Sequence, residues 1–306
     1  MTNEVKRRGG KRNNRIRESM GDNILKFVVY TLVVLLSLTC VLPILNILAS
    51  SFSSADALNA GKVTFWPVGW NLDAYNTIFT NGSLIHSMAY SLLVTAVYVA
   101  ITLVMTVLCA YPLSQPGLVG KGVFWPIILF TMYFSGGMIP HYLLVRDLNM
   151  LNTMWSLIIP GAISTYNMIL MRSFFSSIPD ALREAALVDG ANDATTLVRI
   201  ILPLSKSMLA TIALFYAVSR WNAVQDGMIY ITDPTKYILQ VRLKNIILSS
   251  SSLNELMAEG AANQMTLQTQ QIRSASLIFS MLPVMIVYPF LQKYFVKGVM
   301  IGSVKG

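Results

Sequence analysis

Apolar runs long enough to cross a bilayer constrain this chain more than any other feature. The first spans about residues 27–49 and carries no acidic or basic side chain. A bilayer core takes about 20 apolar residues as one helix. Only a helix bonds all of a segment's backbone polar groups to one another where no water is present. Comparable runs recur at about 84–112, 123–145, 154–175, 205–222 and 274–295. The expectation is an all-α, polytopic membrane protein with six transmembrane helices. Composition agrees: 12% of the 306 residues are charged, against about 25% in a typical soluble domain. Mean hydropathy is +0.57.

Charge placement sets the expected orientation. Residues 1–26 hold Lys6, Arg7, Arg8, Lys11, Arg12, Arg15, Arg17 and Lys26 against Glu4, Glu18 and Asp22. Such a tail builds no core and suits an anionic leaflet. Basic flanks stay cytoplasmic, so the N-terminus is expected inside. With six helices the 296–306 tail returns there. The apolar run exceeds the h-region of a signal peptide, and reads as an uncleaved helix. Most of the inside bias comes from the basic tail; alternation carries the remaining topology. The net charge of +9 is therefore read as a membrane signal and not as a nucleic-acid footprint.

Several features carry no chemistry. Cys40 and Cys109 lie in apolar runs with no metal-ligand spacing and read as small buried hydrophobes. His86 and His141 stand alone. GLVGKG at 117–122 fails as a phosphate loop, because Lys121 is followed by Gly122 where Ser or Thr is required. Trp66, Pro67, Trp70 and Tyr75, in the 51–83 segment, suit an interfacial outer loop. Gly136, Gly137 and Pro140 weaken the third helix, as Pro160 and Gly161 weaken the fourth. Residues 223–273 read as a long outer segment, poor in apolar periodicity beyond Leu256. Arg220, in the last turn of the fifth helix, is expected to snorkel outward or face a wet cavity.

Between the fourth and fifth runs lies a polar island, 179–203. Pro179 opens a first helical turn, and Asp180 and Glu184 suit its dipole. Ala181, Leu182, Ala185, Ala186 and Leu187 give a short helix with a small-residue face. Gly190 is placed as a left-handed stop. Asn192 or Asp193 caps a second short helix, and Pro203 leads into the fifth span. The local chemistry predicts an ordered cytoplasmic elbow and names no partner.

Across the same residues runs Glu184–Ala185–Ala186, three residues, Gly190, nine residues, then Ile200–x–Leu202–Pro203. This resembles, without a gap, the EAA loop of ABC importer permeases. The resemblance covers nearly the whole chain. The context SFFSSIPDALREAALVDGA and the later RWNAV are similar to the carbohydrate-importer branch. The C-terminal YPFLQKYFVKGVMIGSVKG resembles its LplC/YtcP-type subgroup, which serves complex oligosaccharides and polysaccharide fragments. The resemblance implies a type I importer permease fold in a bacterial cell membrane. It implies that Glu184, Ala185, Ala186, Asp189, Gly190, Ile200, Leu202 and Pro203 form a coupling loop seated on a cytoplasmic ATPase dimer. It also implies a second homologous permease, an external solute-binding protein and an oligosaccharide substrate. ATP and magnesium would belong to the ATPase, leaving this chain without cofactor, metal or catalytic residue.

Sugar sites set aromatic faces against ring faces and amides against hydroxyls. Tyr133, Tyr166, Asn167, Trp221 and Asn222, near helix breaks or ends, are candidates for the substrate path; for each, helix packing or interface anchoring is the plainer reading. Two other classes are weighed. An ion-coupled transporter needs intramembrane carboxylates, and none lies well inside the six runs. A membrane-embedded enzyme needs clustered His, Asp, Glu or Cys, and these stand apart.

Overall fold

A computed structural model describes the backbone of residues 20–258 and 265–303, with side chains for 20–248 and 270–289. Among the described residues the chain is helical, with no strand. Helix α1 (Met20–Ser51) is apolar and exposed along nearly its whole length; only Ala49–Ser51 are buried. Its 32 residues measure about 48 Å at 1.5 Å each. That exceeds the roughly 30 Å hydrocarbon core. Short helices α2 (Ala55–Asn59) and α3 (Asp73–Asn81) follow. Tyr75 is tied inward: its hydroxyl donates to Ser51 Oγ at 2.9 Å, and its ring stacks on Phe52. Trp66 and Trp70 remain exposed.

Helix α4 (Ser83–Ser114) is the central column. Ser87, Ser91, Val94, Tyr98, Thr102, Thr106 and Ala110 are buried at three- and four-residue spacing, the stripe expected of one helix face. In lipid, apolar side chains gain little from leaving a medium already apolar, so close approach through small residues holds helices together. The stripe is accordingly small and hydroxylic. Thr106 Oγ1 lies 2.6 Å from the Tyr216 hydroxyl, and Thr102 bonds its own helix at Tyr98 O.

Helices α5 (Lys121–Tyr133) and α6 (Met138–Asp147) bend by 108° at the Phe134–Gly137 break. Two 3-10 turns, Met154–Leu157 and Ile159–Gly161, lead at 52° into α7 (Thr165–Ser176). The elbow comprises α8 (Asp180–Val188), α9 (Asp193–Thr196), a π-helical turn (Leu197–Ile201) and α10 (Leu202–Leu204). Beyond it come α11 (Lys206–Asn222), α12 (Gln225–Tyr230), α13 (Leu239–Ala258) and α14 (Met265–Ser303). One apolar core joins α4, α7 and α11; a second joins α3, α13, α14 and the start of α4.

Three helices are long and apolar enough to cross a membrane alone, and the count reaches six if each bent pair is one span. The third run, 123–145, is not one helix: positive φ at Gly137 breaks it. The fourth run, 154–175, is broken around Pro160. The 223–273 segment, expected simply as a long outer segment, is largely helix among its described residues, in α12, α13 and the start of α14. Residues 259–264, within its Ser/Asn/Gln-rich stretch, lie outside the described residues, as do 1–19 of the basic tail and 304–306. The expected 296–306 tail continues α14 as far as Ser303. Cys40 is exposed on α1 and not buried as expected, while Cys109 is half-buried.

Candidate functional site: the elbow between α7 and α11

Pro179 (φ −55°, ψ 130°) delivers extended chain into α8. Because Pro cannot donate, its place just ahead of the helix wastes no hydrogen bond. One face of α8 is buried through Arg183 and Ala186. The opposite face exposes Ala181, Leu182, Glu184, Ala185, Leu187 and Val188. Leu187 is 60% and Val188 87% exposed. The helix ends as its sequence predicts. Gly190 adopts φ +80°. Its N–H donates to Leu187 O at 3.0 Å, and the Ala191 N–H donates to Ala186 O at 2.9 Å. That pair of bonds is a Schellman closure.

Asn192 then caps the next helix, its Oδ1 accepting the Thr195 N–H at 2.8 Å. The π-helical turn ends just before Pro203, and the Leu202 N–H reaches back five residues to Leu197 O. Pro203 has no N–H to offer the Arg199 carbonyl, and its ring crowds that carbonyl in a regular α-helix. Widening by one residue relieves both problems. Ile200 and Leu202 are half-buried, Ile201 is fully buried and Pro203 is exposed. At buried Ser205 the chain turns by 83° into α11, with Ser205 Oγ donating to Ile201 O at 2.6 Å.

The residue that sequence reasoning passed over here is Arg183, 6% exposed. Its Nη2 donates to Phe175 O at 2.7 Å. Longer contacts run to Asp180 Oδ1 (3.3 Å), Gln115 Oε1 (3.4 Å) and Ser114 Oγ (3.5 Å). Nearby, Arg172 Nε donates to Leu113 O at 3.1 Å, and its guanidinium lies 4.3 Å from the Trp125 ring centroid. Both arginines therefore fasten this end of the bundle to the end of α4.

At the far end of α11, Arg220 does not snorkel. It is buried and paired with Asp226 through two contacts, Nη2 to Oδ1 at 3.0 Å and a closer one from Nη1 to Oδ2. Its Nη1 also donates to Leu157 O at 2.8 Å, and its guanidinium lies 5.8 Å from the Tyr98 ring centroid. A buried charge needs such a set of partners. Asp226 sits one short turn beyond the helix, a spacing with no sequence signature.

The five proposed path residues do not converge. Asn222 borders a cleft of about 570 Å³ with Ser135, His141, Ser219, Gln225 and Asp226. A second cleft of about 570 Å³ has Trp221, Asn222, Gln240 and Lys244 among its lining. Trp221 is otherwise buried in the α3–α13–α14 core. Tyr133, 84% exposed at the end of α5, lines neither cleft, nor do Tyr166 and Asn167 on α7. Among the described residues no three of His, Cys, Asp or Glu gather as a metal site.

No family profile matches the chain. Individual relatives do. It is 38% identical over 288 residues, 94% of this chain and all of the relative, to the polygalacturonan/rhamnogalacturonan transport system permease protein YtcP of Bacillus subtilis. It is 40% identical over 268 residues, 87% of this chain and 90% of the relative, to protein LplC of the same organism. Among solved structures, a chain of a bacterial ABC transporter involved in the import of the acidic polysaccharide alginate superposes with a TM-score of 0.82. The two share 36% identity, covering 91% of this chain and 99% of that one.

A helical bundle with apolar outer faces and this architecture is the membrane subunit of a transporter. The chain belongs to the carbohydrate-importer ABC permeases, in the YtcP/LplC group. It is a multi-pass protein of the bacterial cell membrane and a non-catalytic subunit. In this family ATP is hydrolysed by a separate subunit, and a partner permease and a binding protein complete the transporter.

Proposed function

We propose that this chain is one permease subunit of an ATP-driven importer of oligosaccharides or polysaccharide fragments. With a second, homologous permease it forms half of the pore. Six spans, with the bent pairs counted as one each, leave both termini in the cytoplasm. The 179–203 elbow seats on a cytoplasmic ATPase dimer, and an external binding protein supplies the sugar. Glu184 makes polar contacts at that joint, Ala185 allows close approach of the partner, Ala186 on the buried face lets α8 pack closely on its own bundle, and Gly190 sets the bend. Ile200, Leu202 and Pro203 fix the return into α11. ATP and magnesium reside on the ATPase, and this chain carries no cofactor. Asn222, with Trp221, borders the sugar path; Tyr133, Tyr166 and Asn167 serve it more remotely.

The observation that carries this reading is the exposed α8 face. Leu187 and Val188 stand in solvent beside Asp189 and Glu184, on a rigidly capped helix. Apolar side chains among charges suit a wet protein groove, since lipid would have to desolvate the charges. The substrate class draws support from the polysaccharides named for the relatives. The test is a Leu187→Cys variant in the assembled transporter. A cross-link to the ATPase, and labelling of an Asn192→Cys variant from the cytoplasm alone, are the expected results. Labelling from outside, or no cross-link in an intact complex, refutes the coupling role.

A further inference from the structure

Resting on the coupling role of α8, we propose that Arg183 is the positioning residue that transmits movement of the elbow to the spans. The element that must move sits outside the bundle, and only two of its nine residues, Arg183 and Ala186, are buried. Ala186 has one methyl group and can only pack. Arg183 has a planar fork of donors in fixed geometry, and it grips two spans at once. One arm holds the C-terminal backbone of α7 at Phe175 O; contacts to Ser114 Oγ and Gln115 Oε1 reach the end of α4. The Asp180 contact closes the grip on α8 itself. A push on α8 is thus delivered to α4 and α7, the two helices that build the main core with α11.

The joint also has spare bonding capacity. Arg183 Nε is buried without a partner, and Gln115 Nε2, just past the end of α4, has none within hydrogen-bond distance. An unsatisfied buried polar atom is costly, so full satisfaction in one rigid arrangement is the usual outcome. Two such atoms, one just past the end of α4 and one on α8, leave room for a second arrangement of the same side chains. The contacts of 3.3–3.5 Å from Arg183 to Asp180, Gln115 and Ser114 are at the loose end of hydrogen-bond geometry. They are the bonds that can exchange as the joint turns, while the 2.7 Å bond to Phe175 O holds.

The test is made in the whole importer, with partner permease, ATPase and binding protein, reconstituted in liposomes. The readout is sugar taken up per ATP hydrolysed, which a general loss of folded protein does not change. Arg183→Met keeps the length and removes the fork, and the ratio is expected to fall at least tenfold. Arg183→Lys keeps the charge but reaches one helix at a time, and an intermediate ratio is expected. An unchanged ratio in Arg183→Met, whatever happens to the total rate, overturns the proposal, and so does full rescue by Lys. If Arg183→Met fails to accumulate, Ser114→Ala with Gln115→Ala removes the α4 half of the grip; the ratio should drop, and no drop overturns the proposal. The Leu187→Cys cross-link keeps the two readings apart. Its absence in an intact complex defeats the coupling role, whereas its presence with an unchanged ratio defeats only Arg183.

Discussion

Replacing Gly190 separates backbone strain from crowding. Its φ is +80°, and a Cβ built there meets nothing within 4 Å. An alanine therefore adds no clash; its cost is the left-handed backbone alone, about 1–2 kcal/mol. Asparagine tolerates that region better and should cost less. Proline is worst on two counts. Its ring fixes φ near −65°, and it deletes the N–H that bonds Leu187 O at 3.0 Å. The expected order of damage is Asn, then Ala, then Pro. A cost of 1–2 kcal/mol shifts a local equilibrium about 5–30-fold, enough to misalign α8 against α9 in much of the population. The assay is uptake by liposomes holding the complete transporter, with co-purified ATPase as the measure of docking. Gly190→Ala should lower uptake several-fold, and Gly190→Pro should abolish it or release the ATPase. Equal uptake by the Pro variant, or an Asn variant worse than Ala, refutes the argument from φ.

Two further outcomes follow from local geometry. Asp226→Asn leaves the buried Arg220 guanidinium short of its counter-charge; one-sided removal from a buried pair costs about 3–5 kcal/mol, discounted here because the Asp226 side chain is 30% exposed. A lower melting temperature in detergent is expected, and no change would show that Leu157 O and Tyr98 suffice. Asp233 accepts from the Thr235 hydroxyl and N–H, which hold its carboxyl below the ordinary 3.8. A depressed folded value means the stabilisation is present above the unfolded pKa and is lost as pH falls through the folded one. The protection of the Thr235 amide relative to its intrinsic exchange rate should hold from pH 7 to 5 and fall only below about pH 4.

How much was legible follows from where the partners lie. The 179–203 island is local: Pro179, Gly190 and Asn192 act on neighbours within five residues, so their chemistry could be read from the string. The apolar runs were legible as membrane-spanning material but not as straight helices. A Gly137 at φ +88° and a Pro160 within 3-10 turns are tolerated because neighbouring groups meet the broken backbone, as the Tyr98 hydroxyl does at Gly161 O (3.0 Å). The helices inside the 223–273 segment were not legible because α13 mixes polar and apolar residues; α13 packs on α4 and α14. Arg183 and Arg220 were hidden for one shared reason. Each has its strongest neutral partner in a backbone carbonyl, Phe175 O and Leu157 O, and every residue type carries a carbonyl.

Exposed apolar surface means different things on two helices of this chain. Along α1, Leu32 to Leu36 are each more than half exposed within an uncharged run. Lipid, or a neighbouring span, can cover them at no electrostatic cost. On α8, Leu187 and Val188 are as exposed, but Glu184, Asp189 and Asp193 stand within six residues. Sinking that surface into lipid would strip water from three carboxylates, at about 2.5–3.5 kcal/mol for an aspartate at a membrane helix centre. A protein groove can cover the apolar side chains while leaving the carboxylates wet or paired. Exposed apolar area alone therefore does not separate the two helices; the charge spacing suits α1 to the bilayer, and it is what the proposed protein partner of α8 rests on.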